Sequence, residues 1–215
     1  MHLADLPAAT PVNAALASRR PLQLHDPGDL LGLDAILDPE FPLRRIEAPE
    51  DIDPNRAAIW VDWHTAPEAA SRGALVLHPR CLVAGVGCNR GTDREEILGL
   101  IRSCLEEQDL ARESLACLAT TAAKRDEAGL RQAARTLEVP LVCLEAEQLG
   151  AAEVPNPSET VTKHMGVASV CEAAALIQAR TRELLVPKRK SVNATLALAV
   201  AGSPPSGWDP AAKST

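Results

Sequence analysis

Residues 81–200 alternate between short apolar segments and segments of helical periodicity, and this alternation constrains the fold more than any other feature. The apolar segments predict strands at 82–86, 114–119, 139–144, 183–186 and 193–199. The intervening patterns predict helices at 93–107, 128–137, 158–165 and 169–181. Strands that alternate with helices of roughly 10–15 residues are typical of an α/β fold with an open, mostly parallel sheet flanked by helices.

Residues 1–80 are richer in proline and acidic residues, and they predict a smaller, partial α/β module ahead of the first. A short helix is expected at 11–18, and strands at 21–25, 57–61 and 74–78, with a turn at Asp26-Pro27-Gly28. We therefore expect a partial module at 1–79, a regular domain at 80–200 and a disordered tail at 201–215.

Composition excludes several classes of function. The net charge is −7, and the chain has one Phe, no Tyr and three Trp, which disfavours proteins that bind nucleic acids by base stacking. No apolar run approaches the ~20 residues of a membrane span, and the first residues lack the pattern of a secretory signal. The six cysteines form no CxxC pair, so we expect free thiols in a cytoplasmic protein. From the charge, the few aromatic residues and the absence of a long apolar run, we expect neither a nucleic-acid nor a membrane partner.

The glycine-rich segment that follows the strand at 82–86 is the first candidate site. Glycines allow a tight turn and close approach of a ligand, Thr92 is expected to cap the next helix with Glu95, and Arg90 adds a charge. The spacing is GxGxxxG rather than the dinucleotide-binding GxGxxG, and a structural turn is the alternative reading. The candidate residues here are Gly87, Cys88, Arg90, Gly91 and Thr92.

Further candidates lie at other predicted helix starts and in a basic run. Helix starts that follow parallel strands gather at the carboxyl edge of a sheet, where ligands bind. The alternative is that these are simply capped helices and a solvated charge run. The candidate binding residues are Lys124, Asn156, Ser158, Ser169, Lys188, Lys190 and Asn193, and the candidate bases are Glu127, Glu159 and Glu172. No zinc-type or other metal-ligand spacing is present, so no cofactor is expected.

Five segments in order resemble the carboxy-terminal domain of the CbiG/CobE family: GVGCNRGT, LATTAAKRDEAGL, VPNPSE, GVASVCEAAAL and LLVPKRKSVNATLALA. The resemblance covers about residues 80–200. The VNAAL stretch at 12–16 also resembles the middle region of CbiG, and the amino-terminal domain of that family is not recognised in this chain.

The resemblance implies a role in cobalamin (vitamin B12) synthesis. CbiG acts on cobalt-precorrin-5A, opening the ring-A lactone with release of acetaldehyde, so the expected ligand is a corrinoid intermediate that brings its own cobalt. The implied reaction needs a base, for which Glu127, Glu159 and Glu172 are the candidates, and a site that stabilises an oxyanion, which the backbone amides of residues 87–91 could supply. A separate CbiG amino-terminal domain or other pathway enzymes are possible partners.

Two alternatives to the hydrolase stay open at this stage. A non-catalytic corrinoid carrier of CobE type would share the ligand and lack turnover. A nucleotide-binding domain would require an acidic residue at the end of the second strand, about 20 residues after the glycine turn. The sequence Thr-Thr-Ala-Ala-Lys stands there instead, and the first acid is Asp126.

Overall fold

The computed structural model describes residues 6–32, 38, 40–150 and 169–201. Contacts divide the chain into two compact units, one containing residues 1–79 with 109–114 and the other containing 80–108 with 115–215. Each unit has its own sheet. The domain limits expected from sequence stay a prediction.

The first unit is a parallel four-stranded sheet with helices α1 (Leu6–Ala17) and α2 (Pro67–Ser71). Its strands are β1 (Leu22–His25), β2 (Leu43–Arg45), β3 (Ala57–Val61) and β4 (Leu75–Leu77), in the spatial order β2-β1-β3-β4. Alternate residues along each strand point to opposite faces. One face of β3 therefore buries Ile59 and Val61 with Val12 of α1, and the other buries Trp60 with Ala69 of α2.

The second unit contains a five-stranded sheet in the order β7-β6-β5-β9-β8. Its strands are β5 (Leu82–Cys88), β6 (Leu115–Thr121), β7 (Leu141–Leu144), β8 (Val186–Lys190) and β9 (Ala194–Val200). Strands β5, β6 and β7 are parallel, whereas β9 is antiparallel to both of its neighbours. The sheet is therefore mostly parallel, and the predicted α/β fold class is confirmed.

Helices cover this second sheet: α3 (Arg94–Glu107), α4 (Ala128–Leu137), α5 (Ala146–Gly150) and α6 (Val170–Ala179). Helix α6 packs against β5, β6 and β9, and its buried positions are mostly alanine, which lets the helix backbone approach the strands closely. The approach is closest at Gly85, where a Cβ atom would lie 1.9 Å from the carbonyl oxygen of Cys171. Only glycine fits there.

Several predicted element limits were wrong. Helix α1 begins at Leu6 rather than at Pro11, which lies inside it. Strand β5 continues to Cys88 instead of ending at residue 86, so Gly87 lies in the strand and Gly91, at φ +73°, makes the turn. The basic run is not a loop, because Lys188–Lys190 lie in edge strand β8, where charged side chains reach solvent. The helix expected at 158–165 and the tail beyond Ala201 lie outside the described residues.

All six cysteines are free thiols. Within the described ranges, no helix combines the length and the apolar character needed to cross a membrane.

Candidate functional site

The carboxyl end of the second unit's sheet brings together three connections that are distant in sequence. They are the turn after β5 (89–92), the segment between β6 and α4 (122–127) and the hairpin between β8 and β9 (191–193). The turn and the hairpin are adjacent because Cys88 pairs with Ala194. We call these three segments together the carboxyl edge.

Glu127 joins the first two segments of the carboxyl edge. Its Oε1 atom accepts the Gly91 N–H at 2.6 Å, and its Oε2 atom lies 3.3 Å from Lys124 Nζ. The start of α4 abuts the turn so closely that a Cβ on Gly129 would lie 2.1 Å from the Thr92 carbonyl oxygen. The Gly91 amide, followed by Lys124 and Arg90, holds the pKa of Glu127 below its usual value. Glu127 is therefore an ionised carboxylate already engaged by a backbone amide and a lysine.

Asn193 joins the hairpin to the turn. Its carbonyl oxygen accepts the Asn89 N–H at 2.8 Å, and the two asparagine side chains are linked at 3.1 Å. The Thr92 hydroxyl lies 2.9 Å from the carbonyl oxygen of Asn89 and 3.3 Å from that of Asn193. Thr92 therefore ties the turn to the hairpin rather than capping α3.

The cap of α3 is the neighbouring residue. Asp93 accepts the Glu95 N–H at 2.8 Å, so the predicted Thr92–Glu95 capping box was wrong. Aspartate and threonine are both common N-cap residues, so the sequence offers two neighbouring candidates. In the structure the Thr92 hydroxyl is near the Asn193 carbonyl oxygen of the hairpin, and Asp93 caps the helix.

Glu96, in the first turn of α3, binds the hairpin of the carboxyl edge and is not among the residues predicted from sequence. Its carboxylate accepts the Ser191 hydroxyl and the Asn193 N–H, both at 2.6 Å, and the Asn193 side-chain amide at 3.1 Å. The Ser191 hydroxyl, followed by the Asn193 groups, holds the pKa of Glu96 below its usual value. The pattern Asp93-x-x-Glu96 could have drawn attention to this residue as a capping-box glutamate, although its observed partners are in the hairpin.

The backbone amides of the glycine turn are partly occupied. Asn89 N–H donates to the Asn193 carbonyl and Gly91 N–H donates to Glu127. In this conformation neither is available to an oxyanion. Gly87 lies in the strand ladder opposite Thr195.

The start of α6 lies beside β5, where a Cβ on Gly87 would be 3.9 Å from the Val170 side chain. The spacing Ser169-x-x-Glu172 is that of a capping box, but Ser169 is buried at the N-cap of α6 and makes no side-chain cap bond, so the pair does not form one. Glu172 is fully buried and accepts the Lys188 N–H of β8 at 3.1 Å. The pairing of β8 with β9 is irregular at this point, and the Glu172 carboxylate accepts the N–H that the irregularity turns out of the ladder.

Cationic side chains surround these segments. Arg90 and Lys190 are exposed, and neither has an ion-pair partner among the described residues. The Lys124 side chain is mostly buried against Glu127, and Lys188 is partly buried near Glu172. The remaining candidates, Asn156, Ser158 and Glu159, lie outside the described residues.

Cys88 lies at the end of β5 and is partly buried. Desolvation raises the pKa of its thiol, and the nearby Lys124 offsets this only in part. Because the thiolate is the nucleophilic form, this environment disfavours a catalytic cysteine.

Family models match both parts of the chain. The model described as "Cobalamin synthesis G C-terminus" matches residues 82–199, and the one described as "Cobalamin biosynthesis central region" matches residues 1–79.

Curated relatives support this match. Cobalt-precorrin-5A hydrolase from Priestia megaterium is 33% identical over 62% of this chain and 36% of that protein. Protein CobE from Sinorhizobium sp is 37% identical over 55% of this chain and 79% of that protein. The chain thus spans about a third of the length of the hydrolase relative.

A solved structure of CobE, a protein from the cobalamin biosynthetic pathway, superposes with a TM-score of 0.53. It is 38% identical and covers 57% of this chain and 91% of its own. The resemblance of the motifs to the CbiG/CobE family is confirmed, and the chain belongs to the cobalamin synthesis G family.

Proposed function

We propose that this chain binds a corrinoid intermediate of cobalamin synthesis as the corrinoid-binding part of a cobalt-precorrin-5A hydrolase. The observation that carries the proposal is the carboxyl edge, where the glycine turn, the segment that carries Lys124 and the hairpin after the cationic strand β8 meet in a member of this family. Open α/β sheets bind ligands at this edge.

The charge of the edge suits the ligand. Corrinoid intermediates carry acetate and propionate side chains, so they are polycarboxylates. A guanidinium such as that of Arg90 binds a carboxylate in a bidentate manner, and an ammonium such as that of Lys190 binds it as a point charge. Both side chains are exposed and can reach a ligand.

A hydrolase would need a general base in addition to the residues that bind the ligand. Lactone opening adds water to the ring-A carbonyl, and acetaldehyde then leaves. The carboxylates of Glu127 and Glu172 already accept backbone N–H groups. Of the candidate bases, this leaves Glu159, with Arg90 or Lys124 to stabilise the developing oxyanion.

A second candidate function is a carrier of CobE type, which would bind the corrinoid without turnover. One specific observation favours it: the candidate bases that the structure describes, Glu127 and Glu172, already accept backbone N–H groups. The partners that we propose for the hydrolase are a separate CbiG amino-terminal domain and other enzymes of the pathway.

The proposed setting is the cytoplasm, in agreement with six free cysteines. We propose no cofactor besides the cobalt of the substrate, and no nucleic-acid or membrane partner.

The test is anaerobic incubation of the purified chain with cobalt-precorrin-5A, with retention of the corrinoid, its mass and released acetaldehyde as readouts. The hydrolase proposal predicts retention and acetaldehyde, and Arg90→Ala with Lys190→Ala should weaken retention at least about tenfold, since a charge-assisted hydrogen bond contributes ~1.5–3 kcal/mol. Arg102→Ala, an exposed arginine in the middle of α3, is the matched control and should bind normally.

The outcomes separate the candidates. Retention without acetaldehyde supports the carrier or a hydrolase that needs a second chain, and adding the separately expressed amino-terminal domain distinguishes these two. If the corrinoid is not retained, both candidates are wrong. If Arg102→Ala weakens retention as much as the double variant, the carboxyl edge is not the binding site.

A further inference from the structure

The first unit carries histidines at the carboxyl end of its own parallel sheet, remote in sequence from the candidates above. His25 ends β1, His64 follows β3 and His78 follows β4. The sheet order β2-β1-β3-β4 changes direction between β1 and β3, and ligands of open α/β sheets bind in the crevice at such a switch point.

The hydrogen bonds of these histidines determine their tautomers. Nδ1 of His64 lies 2.8 Å from a carboxylate oxygen of Asp62, Nδ1 of His78 lies 2.9 Å from the Asp62 carbonyl oxygen, and Nδ1 of His25 lies 3.1 Å from the Ile46 carbonyl oxygen. An oxygen without a proton can only accept, so each Nδ1 carries the hydrogen. In the neutral imidazole, Nε2 then holds the free lone pair.

His64 differs from the other two because its partner is a carboxylate. A carboxylate on Nδ1–H fixes the ring and raises the donor strength of Nε2, which is the arrangement around histidines that ligate metals. Its side chain is also 43% exposed, so a bulky ligand can reach Nε2. His25 is instead stacked on the buried Trp60, with ring centroids 3.7 Å apart.

The backbone around His64 is held firmly. The His64 N–H donates to the same Asp62 oxygen at 2.9 Å, and His64 forms a bridge with Leu110. Neighbouring residues add the bonds Thr65 N–H to the Asp109 carbonyl at 2.7 Å and Ala111 N–H to the Trp63 carbonyl at 2.9 Å. The imidazole is therefore a preorganised donor.

The described residues contain no group of three or more His, Cys, Asp or Glu side chains that could hold a metal ion. The His64 imidazole is therefore not one of several protein ligands around a free metal ion in this part of the chain. A corrin differs from a free ion because its ring nitrogens fill the equatorial positions of cobalt. Such a ligand needs from the protein only one axial donor, for which neutral imidazole is well suited.

We propose that His64, oriented by Asp62, is an axial ligand for cobalt at a second corrinoid site, carried by the first unit in addition to the one proposed at the carboxyl edge. The inference takes from the proposed function only the class of ligand, a cobalt corrinoid. The bond is a dative one from Nε2 to cobalt; it displaces a bound water and involves no electron transfer.

The test uses the full chain and cobinamide, a cobalt corrinoid without a nucleotide base of its own, reduced anaerobically to cobalt(II). Retention on ultrafiltration measures binding, and electron paramagnetic resonance reports the axial donor. An axial ¹⁴N splits the cobalt lines into triplets, and protein labelled with ¹⁵N-histidine should give doublets instead. The label tests the ligand in the wild-type protein, so the result does not depend on whether a variant folds.

Variants then identify the residue. His64→Ala should abolish the nitrogen splitting, whereas His78→Ala, the matched control at the same edge, should keep it. Asp62→Asn should weaken cobinamide binding by roughly 10–100-fold, because the partner of a ligating histidine contributes about that much to metal affinity.

Retained cobinamide without nitrogen splitting, or with splitting that survives in His64→Ala, would overturn this inference and leave the proposed function standing. If the wild-type chain retains no cobinamide while it does retain cobalt-precorrin-5A, the axial ligand is again refuted. If it retains neither corrinoid, both proposals fail.

Discussion

Replacing Gly85 with alanine should destabilise the second unit strongly, because α6 lies directly on β5 at this position. The new Cβ would be 1.9 Å from the Cys171 carbonyl oxygen and 2.7 Å from the Ala175 nitrogen, both of which are helix backbone. A separation of 3.0 Å is the least that real Cβ atoms show, so the helix has to move by about 1 Å. Overpacking of this kind costs ~1–3 kcal/mol, and we expect the upper limit, about 3 kcal/mol, since rigid backbone cannot rotate away.

The assay is thermal unfolding followed by circular dichroism at 222 nm. A loss of about 3 kcal/mol corresponds to a decrease in Tm of roughly 6–12 °C for a chain of this length. Gly99→Ala is the matched control: Gly99 lies exposed in α3 and an added Cβ meets no atom within 4 Å. Alanine should stabilise that helix by ~0.5–1 kcal/mol. The packing argument is wrong if Gly85→Ala melts with the wild type, or if both variants lose the same stability.

Two further predictions concern ionisable groups in the carboxyl edge and next to it. The lowered pKa of Glu127 means that its carboxylate stabilises the fold above its ordinary pKa of 4.5 and that this stability is lost as the pH falls through the lower folded value. Glu127→Gln should therefore have a lower urea midpoint than the wild type at neutral pH, and the difference should shrink below about pH 4; a difference that grows on acidification would refute the assignment. The raised pKa of Cys88 predicts slow alkylation by iodoacetamide at neutral pH, with a rate that reaches half its maximum only above pH 9.0. Peptide mass spectrometry measures this rate as a function of pH. A rate that is half-maximal near pH 7 would instead indicate an activated thiol.

The sequence predicted those parts of the fold whose signal is local. The apolar face of Ile97, Leu98, Ile101 and Leu105 in α3 repeats at helical spacing, and all four side chains are buried. The residues of β8 carry no such signal, because Pro187 and the basic residues after it are acceptable only in an edge strand. Whether a strand lies at the edge is a property of the sheet and not of the segment.

The candidate site was predictable to the same extent. The glycine turn and the lysine after β6 were recognised because the carboxyl edge follows from parallel topology. The contacts of Glu96 could not be predicted, because Asn193, whose N–H it accepts, is 97 residues away in the sequence. The role of Thr92 depends on the same hairpin, so a local capping rule assigned it wrongly.

The hydrogen bonds that assemble the carboxyl edge also limit its chemistry. Glu127 joins the segment 122–127 to the turn by accepting the Gly91 N–H, and Glu96 of α3 holds the hairpin by accepting the Asn193 N–H. These contacts lower the pKa of both carboxylates. A carboxylate with a lowered pKa is a weaker base, and a general base works best when its pKa lies near the operating pH. The assembled edge therefore favours binding of an anionic ligand over proton abstraction. Among the candidate bases, Glu172 also accepts a backbone N–H, that of Lys188, so Glu159 stays the predicted base.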